Sequence, residues 1–190
     1  MIWALWAGKE AAYKIISKCY PSASSAPRLY EVCLDCTDIC TKADEFPSEE
    51  TAISGSVDTS YGKIHIRIFI THNYVHCVGA TGPLETTDAV VWHVDRISHV
   101  SEASPAYESV FVRNALKKHL SAYVDERPEN IEIRREKGSH GLKPPFVYVH
   151  GRRDEIDISL SHDGQFTAYA FTILDSTPAV TVKNSAIKSM

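Results

Sequence analysis

A chain of 190 residues is long enough for one domain or for two small, intimately packed halves. Its hydrophobic fraction of 44% supplies a sizeable core and excludes a disordered chain. No apolar run approaches the length needed to cross a bilayer, and a net charge of −4 argues against a general nucleic-acid binder. The start reads as an amphipathic helix, with Trp3 and Trp6 beside Lys9 and Glu10, and not as a signal peptide. Five cysteines, an odd number without a secretory signal, point to reduced thiols in a cytoplasm. Cys33, Cys36 and Cys40 lack the second ligand pair that a closed zinc site requires, so they read as ordinary thiols.

Ala4, Leu5, Ala11, Ala12, Ile15 and Ile16 recur at helical spacing and predict a first helix over Ile2–Lys18, ended by Pro21 and a Ser/Ala/Pro run. A strand follows near Leu29–Cys36, and the acidic, turn-rich stretch Lys42–Ser54 reads as a loop. Lys63–Ile70 alternates isoleucines with mostly polar residues, the mark of a strand with one buried face. A further strand over Tyr74–Ala80 ends at Gly82-Pro83. Residues 83–105 read as a connector with a short strand at Val90 and Val91; His93 and His99, flanking Asp95, read as loop residues. A second helix is expected over Ala106–Tyr123, with Val110, Leu116 and Leu120 among its apolar positions. Then come a strand at Ile131–Ile133, a turn-rich loop at Gly138–Pro145, strands at Phe146–Val149, Ile156–Ser161 and Phe166–Ile173, and a loose polar tail at Asn184–Met190.

Helix, strands and hairpin thus occur twice, and Ile70-Thr71-His72 echoes Leu160-Ser161-His162. The expected class is α+β, with two pseudo-twofold-related halves, each a helix packed on a small antiparallel sheet: residues 1–82, the connector 83–105, residues 106–183, and the tail 184–190.

Three features carry candidate chemistry. Glu10 and Lys14 are four residues apart on one helical face, which by itself suits a surface ion pair worth about 0.3–0.5 kcal/mol. Asp157-Ile158-Ser159-Leu160-Ser161-His162-Asp163-Gly164 is a strand that runs into a polar turn, where Ser161 and His162 can donate to phosphate oxygens or simply shape the turn. Gly141-Leu142-Lys143-Pro144 puts a lysine on a turn, to meet an anion or to stay solvated. The basic cluster Arg134, Arg135 and Lys137 suits an acidic partner, nucleotide phosphates or a solvated loop. No H-E-x-x-H, G-x-S-x-G or Gly-rich phosphate loop is present.

Together these motifs resemble the 4′-phosphopantetheinyl transferase superfamily. Its W-x-x-K-E-x-x-x-K helix is matched by Trp6, Lys9, Glu10 and Lys14, and its S-x-S-H-[SDE] strand by Ser159, Ser161, His162 and Asp163. The family's G-K-P turn is approximated at Gly141–Pro144, and the resemblance covers most of the chain. It implies a holo-[acyl-carrier-protein] synthase type of activity. The phosphopantetheine arm of coenzyme A would pass to a serine of an acyl or peptidyl carrier protein, with Mg²⁺ as Lewis acid and template. Glu10 would help hold Mg²⁺ and assist deprotonation of the serine, and Asp163 is a second candidate metal ligand. Lys14 would neutralise charge on the departing diphosphate, Ser161 and His162 would contact coenzyme A phosphates, and Lys143 would lie near the nucleotide.

The chain departs from the family pattern twice. The K-E helix precedes the S-H strand, the reverse of the long, surfactin-synthetase type, as a permuted order of the two halves would give. The family's G-x-D metal motif is absent at all nine glycines. Asp175 or Asp163 replaces the missing acid, or it lies upstream, or the chain is a non-catalytic relative that binds coenzyme A or a carrier domain.

Overall fold

The computed structural model describes residues 2–35, 50–97, 105–138 and 141–173. Cys36, Cys40, His99, Asp175 and the tail 184–190 lie outside them. The architecture is α+β: two long helices and antiparallel sheet.

Helix α1 (Ile2–Cys19) buries Ala4, Gly8, Ala12 and Ile16, one residue every four. A stripe of small residues at that spacing lets the helix axis lie close to a sheet. A methyl group on Gly8 would meet Ile66 Cδ1 at 3.1 Å and Val32 Cγ1 at 3.4 Å. The sheet beneath runs in the order β1 (Glu31–Leu34), β2 (Thr51–Thr59), β3 (Gly62–Ile70), β4 (Val75–Ala80). Ile64, Ile66 and Ile68 of β3 supply its core with Val57 of β2. Each such side chain contributes about 1.5–3 kcal/mol on burial.

Strand β5 (Val91–Arg96) begins a second sheet ordered β5, β10 (Phe166–Ile173), β9 (Ile156–Asp163). A third sheet is ordered β6 (Ile131–Gly138), β7 (Gly141–Val149), β8 (Arg152–Arg153). Helix α2 (Pro105–Tyr123) packs on both through Val112, Leu116 and Leu120, which join Ile131, Val147, Ile158 and Phe171 in a second core. Among the described residues there are thus two separate cores, one under each helix.

Tight turns hold these strands in register. Between β7 and β8, His150 and Gly151 have φ of 49° and 75°, the paired positive values of a hairpin whose twist matches its strands. His150 is fixed there by its backbone N–H, which donates to the Asn130 carbonyl at 3.0 Å, and by its ring on Glu126. Gly164, φ 55°, turns β9 into β10 immediately after the His162-Asp163 pair.

Four expectations need correction. The stretch read as a loop over Lys42–Ser54 contributes its last residues, 51–54, to β2, a strand not foreseen. The loop expected over Gly138–Pro145 is largely β7, which runs through Pro144 and Pro145. Proline is tolerated because β8 pairs only with Tyr148 and Val149, leaving one side of both prolines open, and β6 is irregular opposite Pro144, between Arg135 and Lys137, while Pro145 stays in register with Arg135. His93 and Asp95 sit on β5, not in a loop, and hydrogen-bond at 3.1 Å. Val110 is 55% exposed, and Val112 takes the core position on α2 instead.

Candidate functional site

The stripe Trp3, Ala7, Glu10, Lys14 and Lys18 on α1 faces a groove of about 1230 Å³ whose opposite wall is formed by β9, β10 and the start of α2. The edge strand β4 lines it as well. Glu10, Lys14, Ser161, His162 and Asp163 all border this one groove, although about 150 positions of chain separate the two motifs. Lys143 is not among its lining residues; it is exposed and pairs with Glu136 at 3.0 Å.

The two motifs touch directly. Lys14 Nζ donates to the Leu160 carbonyl at 3.4 Å and lies 3.5 Å from Glu10 Oε1. One turn further on, Lys18 Nζ donates to Asp157 at 2.7 Å. Both bridges tie α1 to β9. Burial pulls the Lys14 pKa below the ordinary lysine value; Glu10 opposes that, while Arg135 and Lys18 reinforce it. An ammonium so placed is under-solvated and repelled by its like-charged neighbours, a state that an incoming anion relieves.

His162 is placed by a residue the sequence did not single out. Its Nδ1 lies 2.9 Å from Glu108 Oε2, on the first turn of α2. Glu108 is largely covered, so it fixes the ring orientation while His162 itself remains exposed to the groove. Arg113, one helical turn beyond Ser109, donates to the Ser109 carbonyl at 3.1 Å and to the Ser109 hydroxyl. Neither Arg113 nor Arg135 has a carboxylate partner within ion-pair distance among the described residues, and both line the groove. Of the basic cluster, Arg134 is engaged with Glu132 and stacks on Tyr148, so Arg135 alone of the three reaches the site.

His76 on β4 is a second residue without a sequence signal. Its ring stacks on Trp92 of β5 at 4.8 Å, and Trp92 in turn meets Phe69 in a tilted contact at 4.2 Å. Burial, with the Lys14 charge adding to it, pulls the His76 pKa down to about 4, so the ring is neutral at physiological pH.

Among the described residues no group of three or more His, Cys, Asp or Glu side chains comes together as a metal cage. Glu10, about half exposed on the groove wall, suits the looser mode in which a Mg²⁺ ion shares one or two carboxylates with a ligand's phosphate oxygens. Asp163 is exposed at the same groove beside the turn. No described helix is long and apolar enough to cross a membrane. Comparison with family models, curated proteins and solved structures gives no match for this chain.

Proposed function

We propose that the groove binds coenzyme A and that the protein transfers its 4′-phosphopantetheine arm to a serine of an acyl or peptidyl carrier protein. The single observation that carries this reading is the meeting of the K-E helix with the S-H strand through the Lys14–Leu160 hydrogen bond. In this reading the two helix-on-sheet units are pseudo-twofold-related halves in permuted order. Their separate cores support that view.

The chemistry follows from the charges. The groove gathers Lys14, Arg113 and Arg135, cations suited to a diphosphate and a further phosphate. Lys14 would stabilise the negative charge that accumulates on the leaving group as the serine oxygen bonds to phosphorus and the phosphorus–oxygen bond to the nucleotide breaks. 3′,5′-ADP then departs, and the serine proton passes to Glu10 or to water. Ser161 and His162 would hold phosphate oxygens, with Glu108 keeping the His162 ring in place. Held between Glu10 and the diphosphate, with Asp163 as a further candidate ligand, Mg²⁺ would supply Lewis-acid stabilisation of the same charge.

The test is incubation with coenzyme A, Mg²⁺ and a panel of apo carrier proteins. The expected result is release of 3′,5′-ADP with a matching mass increase on a carrier serine, abolished in Lys14→Met. Coenzyme A binding without transfer to any carrier would favour a binding relative, a reading also consistent with the absence of a three-donor metal cage among the described residues. Absence of coenzyme A binding would overturn both.

A further inference from the structure

The Nε2 atom of His76 is buried and has no hydrogen-bond partner among the described residues. A polar atom left in that state costs about 1–3 kcal/mol, and native structures rarely retain one without a use. Its setting is rigid. His76 is the cross-strand neighbour of Phe69, and strand alternation puts both on the face of the sheet turned away from α1, since Ile68 and Ile66, opposite Cys77 and Gly79, point into the α1 core. There the His76 ring is stacked on Trp92, a residue of the second sheet. The imidazole is thus held where the two sheets meet, on the lining of the groove that Lys14 also borders.

We propose that His76 is a ligand-binding residue whose Nε2 hydrogen-bonds a neutral amide or hydroxyl group in the arm of the ligand, next to the anion position at Lys14. This rests on the coenzyme A reading above and extends it to the uncharged part of the molecule. The groove's fixed positive charges on Lys14, Arg113 and Arg135 match phosphates. An uncharged, buried imidazole, one nitrogen a donor and the other an acceptor, matches an amide or hydroxyl instead. The arm of coenzyme A carries such groups immediately beyond the diphosphate. Trp92 fixes the ring plane, so the imidazole itself is already ordered, and the neighbours that cover Nε2 must shift for the ligand to reach it.

His76→Phe keeps a ring against Trp92 and removes the nitrogen. Calorimetry on wild type and His76→Phe, with coenzyme A and with 3′,5′-ADP, separates the possibilities, with thermal melting to verify that the variant is folded. The expected result is a loss of about five- to tenfold in coenzyme A affinity, with 3′,5′-ADP, which lacks the arm, unchanged within about twofold. His76→Gln, which retains a hydrogen-bonding group, should recover part of the loss. Addition of pantetheine, which has the amides and hydroxyls and no phosphate, should shift the His76 Nε2 resonance in wild-type NMR spectra. Equal weakening of both nucleotide ligands, or no weakening of either, would overturn the proposal while leaving the coenzyme A reading in place. Failure of wild type to bind coenzyme A would remove the reading and the proposal together.

Discussion

Replacing Lys14 by methionine separates a functional charge from a structural one. In the folded protein the lysine makes one long hydrogen bond, 3.4 Å to the Leu160 carbonyl, and one ion pair, 3.5 Å to Glu10. Both are weak by geometry. The ion pair is an i,i+4 helix pair with Glu10 about half exposed, worth about 0.3–0.5 kcal/mol. Against this stands the burial that depresses the Lys14 pKa, which Glu10 only partly offsets. Methionine has a similar length, restores apolar packing and removes that desolvation. Net stability in urea should therefore change by less than about 1 kcal/mol in either direction. Ligand binding should respond differently. A charge-assisted bond to a diphosphate is worth about 1.5–3 kcal/mol, so coenzyme A affinity by calorimetry should fall by about ten- to hundredfold. A loss of several kcal/mol in stability with coenzyme A affinity unchanged would refute the reasoning and make Lys14 a strut between α1 and β9.

Acid should destabilise the fold through His76. Its pKa of about 4 when folded lies below the ordinary 6.5, so between those values the unfolded chain binds the proton and the folded protein does not. Stability from this residue is therefore full above pH 6.5 and is lost as the pH falls to about 4, by about 3 kcal/mol; urea titrations across that window should show a correspondingly shallower decline in His76→Phe, and parallel curves would contradict this. Burial pushes the Cys77 thiol up to about 12, whereas Cys19 and Cys33 are exposed. Peptide mapping after mild alkylation should find Cys19 and Cys33 labelled and Cys77 unmodified until the protein unfolds. In Gly55→Ala the new methyl would meet the Cys33 carbonyl oxygen at 2.5 Å and Leu34 Cα at 3.1 Å. Both atoms belong to the β1 backbone, so the variant should lose about 1–3 kcal/mol in chemical denaturation, and wild-type stability would disprove the close β1–β2 approach.

The helices and most strands were legible because their periodicity survives in composition. Ile64, Ile66 and Ile68 mark one face of β3, and Leu116 and Leu120 mark the buried side of α2. Strand β2 was not legible, because its inward set is Ile53, Gly55 and Val57. The glycine needed for close approach to β1 removes the middle of the apolar alternation and reads as a turn. Strand β7 was hidden by Pro144 and Pro145, which break strands unless the neighbouring ladder is absent or irregular, a condition only the sheet topology reveals. Of the candidate site, Glu10, Lys14, Ser161, His162 and Asp163, which border one groove, stood out in the sequence as two local motifs. Glu108, Arg113 and His76 were not, because nothing in their own segments distinguishes them. Their relevance arises when α2 and β4 are brought against β9 and α1. A histidine within an alternating strand looks the same in sequence whether or not its ring finds a partner.

The most direct test of the central claim is coenzyme A binding by calorimetry, with and without Mg²⁺, on wild type and Glu10→Ala. The account predicts saturable binding that tightens with Mg²⁺ in wild type, and loss of that tightening in Glu10→Ala while binding itself persists. Absence of coenzyme A binding by the wild-type protein, with or without Mg²⁺, would contradict it.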